Sequence, residues 1–220
     1  MSSPVKKTTI ASLVKRWNDE KQAAPLVRDL KKFLKNGHLD HTLDLRGAQF
    51  VASDRVVDFH LVSGEFRDAD LSFGKGAICV NSARLEKLVA KRFAFDQAST
   101  FHKCQIIDAN FEGAAVKCFA EDAEFTNCAF RNTTFKGGFQ EYGFRRCVFR
   151  ECNFEGIRWK NTYLRAVEFH QCEFKDACLE TSTLVGVRFF GFSDWKKIVK
   201  KCHVEGIYLD GVRLEMDMPE

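Results

Sequence analysis

The stretch "CVFRECNFEG", residues 147–156, places an aromatic ring at Phe149 and another at Phe154, with a cysteine two positions before each. A helix buries residues at spacings of three and four and a strand at a spacing of two, so a repeat of five matches neither period. The repeat continues without a change of phase through a run of large apolar residues: Phe144, Phe149, Phe154, Trp159, Leu164, Phe169, Phe174, Leu179, Leu184 and Phe189.

Each repeat predicts two inward residues, a small one and the large one that follows two positions later. Residues two positions apart point to the same side of an extended segment, so both face one interior. The next step of three residues reverses the facing, and we therefore expect a corner in every repeat. Such a path winds into a coil whose turns stack about 4.8 Å apart. The sequence predicts a solenoid, and the period alone leaves the number of its sides open.

The same phase extends toward the N-terminus with slips. Inward residues are predicted at Leu45, Phe50, Leu61, Phe66, Leu71, Val80, Leu85, Ala90, Phe95, Phe101, Ile106, Phe111, Val116, Phe125, Phe130 and Phe135. The step from Phe95 to Phe101 is six residues, and steps of four occur near Ala120 and Phe139. We interpret these slips as irregular loops within one solenoid.

The pattern small-x-Leu/Phe-x-x, seen in "CAFRN", "CNFEG", "CEFKD" and "ACLET", resembles the pentapeptide repeat family over roughly residues 42 to 190. The resemblance implies a right-handed quadrilateral β-helix with four repeats per turn. The chain departs from the family pattern by preferring Phe to Leu at the central position and by placing Tyr142 where a small residue is expected. The fold class we expect is mainly β, with an N-terminal α-helical segment and a short C-terminal helix or cap.

The ends of a stacked coil expose apolar surface and unpaired backbone groups, so we expect both ends to be covered. The stretch "TIASLVKRWNDEKQAAPLVRDLKKFLKNG" predicts two helices that are broken near Pro25 and stopped at Asn36-Gly37. The predicted organisation is a helical cap over residues 1–40 and a β-helix over 41–192, followed by a C-terminal cap over 193–220.

The predicted C-terminal cap begins with a short helix that starts at Ser193-Asp194. The stretch "GIYLDGVRLEM" then alternates like a strand or resumes the repeat, with four inward residues: Ile207, Leu209, Val212 and Leu214. The resemblance adds that family members often dimerise through this end. Two interpretations stay open here, the end cap of a monomer and a homodimer interface.

Composition sets the class of protein. No run approaches the roughly 18 apolar residues of a spanning helix, and "MSSPVKKTTI" lacks the apolar core of a signal peptide. Nine cysteines without a secretion signal indicate reduced thiols, so we expect a cytoplasmic protein that does not contact a membrane. The basic N-terminal segment is interrupted by the acidic residues Asp19, Glu20 and Asp29. We therefore do not expect direct nucleic-acid binding.

The sequence offers no catalytic, cofactor or metal site. Four cysteines fall in the small inward position, where cysteine acts as a buried apolar residue: Cys128, Cys147, Cys152 and Cys172. No Cys-x-x-Cys or Cys/His pair has zinc spacing, and no nucleophile, base and orienting group fall at a recognisable spacing. We expect a protein that is not an enzyme.

One irregular segment, "KGGFQEYGFRR" at residues 136–146, is the candidate partner-binding site. It combines Phe139, Tyr142, Arg145 and Arg146, and aromatic residues and arginine are enriched at interface hot spots. The alternative is a corner that is distorted to fit the coil.

Two functions follow. The first is a rigid interaction module that binds a protein partner, of which an immunity or resistance protein would be one instance. The second comes from the resemblance, because some family members protect DNA gyrase and topoisomerase IV as mimics of DNA. A mimic requires an acidic stripe, whereas the acidic and basic residues of 41–192 balance to zero. The resemblance therefore leaves a type II topoisomerase as the alternative partner.

Overall fold

The structure is a computed structural model that describes residues 9–50, 59–96, 98–137 and 143–214. Short parallel strands form three sheets of ten, eight and eight strands, and the chain visits the sheets in rotation. The molecule is a β-solenoid, as the five-residue repeat predicts.

We number the sides of the coil in chain order within one turn. Side 1 is the ten-stranded sheet, whose strands are Leu43–Asp44, Glu65–Asp70, Arg84–Val89, Gln105–Ile107, Glu124–Thr126, Val148–Arg150, Glu168–His170, Arg188–Phe190, Tyr208–Leu209 and Val212–Arg213. Side 3 is one eight-stranded sheet, with strands Gln49–Phe50, Lys75–Gly76, Ala94–Phe95, Ala115–Val116, Thr134–Lys136, Arg158–Lys160, Cys178–Glu180 and Val199–Lys200. Side 4 is the other, with strands Phe59–Val62, Ile78–Asn81, Ser99–His102, Cys118–Glu121, Gly143–Arg145, Tyr163–Arg165, Thr183–Val185 and His203–Glu205.

Side 2 lies between sides 1 and 3. In its first turns it is formed by Leu43–Asp44 and by the ends of the strands Glu65–Asp70 and Arg84–Val89, which pair with one another. Single bridges between successive turns continue it: Val89 to Asn110, Asn110 to Ala129, Ala129 to Asn153 and Asn153 to Glu173. The coil therefore has four sides. Over the strongest part of the repeat, residues twenty positions apart are paired, since Phe144 lies opposite Leu164 and Leu164 opposite Leu184. Four repeats make one turn, as the resemblance implies.

The large residues of the repeat form the core. Phe149, Phe154 and Trp159 are fully buried, and so is the small residue two positions before each of them. The rings stack along each side with nearly parallel planes: Phe149 and Phe169 have centroids 5.2 Å apart at 12°, and Phe130 and Phe154 have centroids 5.1 Å apart at 8°. This spacing is close to the distance between strands, so a planar ring repeats from turn to turn without a void.

A left-handed residue forms each corner in the regular part of the coil. It lies two positions after the large residue, with φ between 49° and 75°: Arg146, Glu151, Gly156, Asn161, Ala166, Gln171, Asp176, Thr181, Gly186 and Gly191. The amide of this residue donates to the next turn, as Arg146 does to the carbonyl of Arg165 at 2.9 Å. The corner conformation restores the inward facing after the three-residue step.

All changes in repeat length fall at one corner, which we call the variable corner, between sides 3 and 4. At the other three corners the step between buried residues is five from Leu61 to Phe189. At the variable corner the step is eleven, four, six, four and nine residues, for Phe50 to Leu61, Gly76 to Val80, Phe95 to Phe101, Val116 to Ala120 and Phe135 to Phe144. The described residues on either side of each slip belong to one solenoid, as predicted.

Two helices precede the coil, α1 at Ile10–Lys15 and α2 at Glu20–Asn36. The predicted break near Pro25 is wrong, because α2 runs through Pro25 and the helices separate before the N-cap Asp19. Asp19 accepts from the amides of Lys21 and Gln22, which fixes the start of α2 upstream of the proline. Gly37 ends the helix with φ of 79°, as predicted. The buried Leu30 and Phe33 pack α2 onto the core of the coil.

Beyond the predicted boundary at residue 192, a short helix α3, Trp195–Ile198, is followed by strands that pair with the last full turn. Ile207 is buried as predicted. The prediction that Val212 faces inward is wrong, because Val212 is 67% exposed in a strand that turns back antiparallel to Tyr208–Leu209. The boundaries of the three predicted segments and the homodimer stay predictions.

Candidate interaction surface

Two of the four predicted partner-binding residues are described, and they lie at the end of side 4 and at the corner between sides 4 and 1. Phe139 and Tyr142 lie outside the described residues. Arg145 ends the side 4 strand Gly143–Arg145, and Arg146 is the left-handed corner residue that follows it. The structure therefore places the two arginines at neighbouring positions on the outside of the coil.

Arg146 is held by two carboxylates of the preceding turn. Its Nε donates to Asp122 Oδ1 at 2.7 Å, and its Nη2 donates to Asp122 Oδ2 and to Glu121 Oε1, both at 3.0 Å. These side-chain hydrogen bonds from Arg146 lower the pKa of Asp122, and the same contacts raise the pKa of the Arg146 guanidinium. The pairing fixes the orientation of Arg146 across the corner.

Arg145 makes weaker ionic contacts than Arg146. Its Nη1 lies 3.9 Å from Glu121 Oε1, and 38% of its side chain is exposed. Strand pairing places it between Glu121 of one turn and Arg165 of the next. Arg145 and the exposed Arg165 therefore stand side by side on side 4, and their guanidinium groups can reach a partner.

Two aromatic side chains flank the arginines on the same side. Strand pairing places Phe119, Gly143 and Tyr163 in one outward row, directly before the positions of Glu121, Arg145 and Arg165. Both rings are only partly buried. Gly143 has φ of 150°, and a Cβ built there would overlap the carbonyl oxygen of Tyr163. The close approach of the next strand therefore requires glycine at this position.

Of these residues, the sequence did not single out Phe119 or Tyr163. The signal that identifies them is the position next to a buried centre, which is outward by alternation along a strand. Using that signal requires knowing which repeats stack, and the changes in length at the variable corner hide this in the sequence.

A cluster of metal-ligand types adjoins this surface. Ligand atoms of His102, Glu121 and Asp122 lie within 4.8 Å of one another, and His102 Nδ1 is 3.8 Å from Glu121 Oε2. Both carboxylates already accept from Arg146. The arrangement is that of an ion-pair network, in which the guanidinium supplies the positive charge.

Six of the nine cysteines pack in the core: Cys104, Cys118, Cys128, Cys147, Cys152 and Cys172. All nine are free thiols, and Cys128, Cys147 and Cys152 are almost completely buried. Burial raises the pKa of the Cys104 and Cys147 thiols to about 12. Neither thiol would form a useful fraction of thiolate near neutral pH, so both are poor nucleophiles and poor metal ligands in the folded state.

Comparison with known proteins identifies the repeat. Residues 144–180 match the family described as pentapeptide repeats, with 8 copies. The matched residues form the regular four-sided turns described above. Residues 144–180 of this chain are therefore pentapeptide repeats. A search of curated proteins gives no match to it.

Solved structures similar to this chain include full-length QnrB1, a plasmid-mediated fluoroquinolone resistance protein. The identity is 16%, the match covers 80% of this chain and 92% of QnrB1, and the TM-score is 0.46. HetL, a pentapeptide repeat protein involved in heterocyst differentiation regulation from the cyanobacterium Nostoc sp. strain PCC 7120, is 10% identical. That match covers 72% of this chain and 94% of HetL, with a TM-score of 0.23. Among the described residues, no helix is long and apolar enough to cross a membrane.

Proposed function

We propose that this protein is a non-enzymatic interaction module that binds a protein partner through side 4 beside the variable corner. The observation that carries the proposal is the confinement of every change in repeat length to that one corner, next to the row of outward aromatic and arginine residues. Segments that vary in length on a rigid scaffold are where proteins most often place binding residues.

The composition of side 4 supports a protein as the partner. Tyr163 and Phe119 supply partly exposed rings, and Arg145 and Arg165 supply guanidinium groups beside them. Tyrosine, phenylalanine and arginine are enriched in protein interfaces, and tyrosine and arginine dominate the binding energy of many of them. The stacked core beneath these residues holds them in fixed positions, which reduces the entropy lost on binding.

The alternative partner, a type II topoisomerase bound by DNA mimicry, is less well supported by the charges. Side 2 carries the acidic residues Glu155 and Glu173, which flank Phe154 and Phe174. There Glu155 lies 3.1 Å from Arg131 and 3.8 Å from Lys175, so its charge is neutralised on both neighbouring turns. A gyrase supercoiling assay tests this alternative, because a mimic would inhibit supercoiling or rescue it from a poison.

We propose the cytoplasm as the location of the interaction. The nine free thiols are the support, because a reducing compartment keeps cysteines in this state.

Affinity capture with matched variants tests the interaction. The side 4 variant Arg145→Ser/Tyr163→Ser/Arg165→Ser removes two arginines and one tyrosine. The control Arg150→Ser/Arg188→Ser/Tyr208→Ser removes the same residue types from side 1. We expect the wild type and the control to enrich the same protein from a lysate of the native host, and the side 4 variant to lose it.

Circular dichroism and thermal unfolding establish that both variants keep the fold. Retention of the partner by the folded side 4 variant would place the interface elsewhere. Equal loss from both variants would show that the capture depends on overall positive charge instead of on side 4.

A further inference from the structure

Charge is distributed unequally over the four sides, although residues 41–192 balance to zero. We compare the strand positions on either side of each buried centre. Side 1 has four arginines and five acids: Arg67, Arg84, Arg150 and Arg188 against Glu65, Glu86, Glu124, Glu168 and Asp210. Side 2 has four cations and five acids: Arg46, Lys91, Arg131 and Lys175 against Asp44, Asp70, Glu112, Glu155 and Glu173. Side 4 has two of each: Arg145 and Arg165 against Glu121 and Glu205.

Side 3 departs from this balance with six cations and two acids: Lys75, Lys117, Lys136, Arg158, Lys160 and Lys200 against Asp96 and Glu180. Lys136, Lys160 and Lys200 are exposed, as are Lys75 and Arg158. Strand pairing places Lys136 opposite Lys160 and Glu180 opposite Lys200, so the cations follow one straight row along the coil.

Few acids neutralise this row. Glu180 lies 3.7 Å from Lys160, and no ion pair joins Lys136, Arg158 or Lys200 to another described residue. The row continues into the exposed Lys201 at the next corner. Side 3 is therefore a flat, basic strip on an otherwise balanced rod.

We propose that side 3 binds the sugar-phosphate backbone of a nucleic acid. Lysine is depleted in protein interfaces and aromatic residues are enriched, whereas side 3 presents lysine and small residues such as Ala94 and Ala115. Lysine and arginine are the usual partners of phosphate groups. The described part of side 3 has no outward aromatic ring that could stack on a base. We therefore expect the binding to depend on charge and to be independent of nucleotide sequence.

The row has the length that such contacts need. From Lys136 to Lys200 there are three intervals between neighbouring strands, or roughly 14 Å at about 4.8 Å each. Double-stranded DNA carries one negative charge per about 1.7 Å of helix axis, so several phosphates lie within that span. This proposal departs from the expectation that direct nucleic-acid binding is absent, which rested on the acidic residues of the N-terminal segment.

Fluorescence anisotropy with a labelled DNA duplex tests the proposal on the full chain. Neutralising about three phosphates predicts a log–log salt slope of about −3, which is a fall of about 60-fold in affinity between 50 and 200 mM salt. The variant Lys136→Gln/Arg158→Gln/Lys160→Gln/Lys200→Gln should reduce affinity at the lower salt concentration at least about tenfold and flatten the slope.

A control variant that loses the same number of positive charges from another side distinguishes binding by side 3 from an effect of net charge. The side 1 variant Arg67→Gln/Arg84→Gln/Arg150→Gln/Arg188→Gln is expected to bind within about threefold of the wild type, since its arginines lie among acids. Equal weakening by both variants, or no binding by the wild type, would overturn the proposal. Equally tight binding of polyglutamate would also overturn it, in favour of an acidic protein.

The outcome is independent of the partner captured through side 4, because the side 3 variant leaves Arg145, Tyr163 and Arg165 unchanged. A single strand of the same length serves as a second probe. Tighter binding of the single strand would assign the site to unpaired nucleic acid, and tighter binding of the duplex would assign it to duplex; both support the proposal.

Discussion

Phenylalanine at the centre of the repeat is explained by stacking along the coil axis. Phe154 lies between Phe130 and Phe174 at centroid distances of 5.1 and 5.2 Å, with interplanar angles of 8° and 14°. Aromatic pairs of favourable geometry contribute about 0.5–1.5 kcal/mol beyond the area that they bury. A column of rings therefore stabilises the association of turns more than a column of leucines would.

We predict that Phe154→Leu lowers the free energy of unfolding by about 1–3 kcal/mol, because it removes two stacked pairs while keeping an apolar side chain. Urea denaturation measures the change. Leu184→Met, which alters a fully buried side 4 residue without removing a ring, is the control and should cost less than about 1.5 kcal/mol. An equal loss from the two variants would show that ring stacking adds nothing.

The corner residues show what residue-level reasoning could not find. The five-residue period requires a turn in each repeat, but it does not say that the turn uses one left-handed residue. That position is occupied by residues as different as Asn161, Ala166 and Thr181, which all have φ near 50°. Only three of the ten corners in the regular segment use glycine, so composition gave no signal. Hydrogen bonds between turns hold the conformation in place of an intrinsic preference.

At the scale of elements, α1 is attached to the coil by one carboxylate. Asp44 accepts from Arg16 Nη1 and Nη2 at 2.8 Å and from Arg46 Nε at 2.9 Å. Partial burial raises the pKa of Asp44, but the hydrogen bonds from Arg16 and Arg46 outweigh that effect and hold its pKa well below the ordinary value of 3.8. Trp17 adds a bond from Nε1 to the carbonyl of Arg46 at 2.9 Å.

We predict that Asp44→Asn lowers the free energy of unfolding at neutral pH by about 1–2 kcal/mol, since a charged hydrogen-bond acceptor is lost. The folded-state pKa is depressed, so the stabilisation is present above the unfolded value of 3.8 and is lost as pH falls toward the folded value. The difference between wild type and variant should therefore shrink below about pH 4.

Denaturant titrations at neutral and acidic pH measure this dependence. Asp29→Asn is the control, because the cations nearest to Asp29 lie 3.9 and 3.6 Å away at exposed positions. A difference that stays constant with pH would contradict a role for the charge of Asp44.

The sequence predicted the two N-terminal helices but misplaced the boundary between them. The apolar residues Leu30 and Phe33 correctly mark the face of α2 that packs on the coil. The break was placed at Pro25 because proline removes a helical hydrogen bond. Capping by Asp19 and docking of the C-terminal half onto the core outweigh that cost, and tertiary packing is not visible in a local pattern. At the other end, Val212 follows the alternation but lies in a strand that turns back on Tyr208–Leu209, and no other described strand covers it.

At the scale of the whole molecule, the coil has three invariant corners and one variable corner. The sequence predicted where the phase slips, as between Phe95 and Phe101, but not that all slips share one edge. The repeats that stack are known only once four repeats are assigned to each turn. With that assignment, Arg145 falls beside Arg165 and Tyr163, and Lys136 falls beside Lys160. Both proposed surfaces adjoin the variable corner, and neither is contiguous in the sequence.

The most direct test compares two insertions in the same turn. A Gly-Ser pair is placed between Asn161 and Thr162, at the variable corner, or between Gly156 and Ile157, at the corner between sides 2 and 3. Loop lengthening by itself costs well under about 1 kcal/mol, so thermal unfolding should show a small decrease for the first insertion. The second should cause a large decrease, because it displaces Ile157 and Trp159 from the core. An equal decrease for both insertions, or a larger one at the variable corner, would contradict the account.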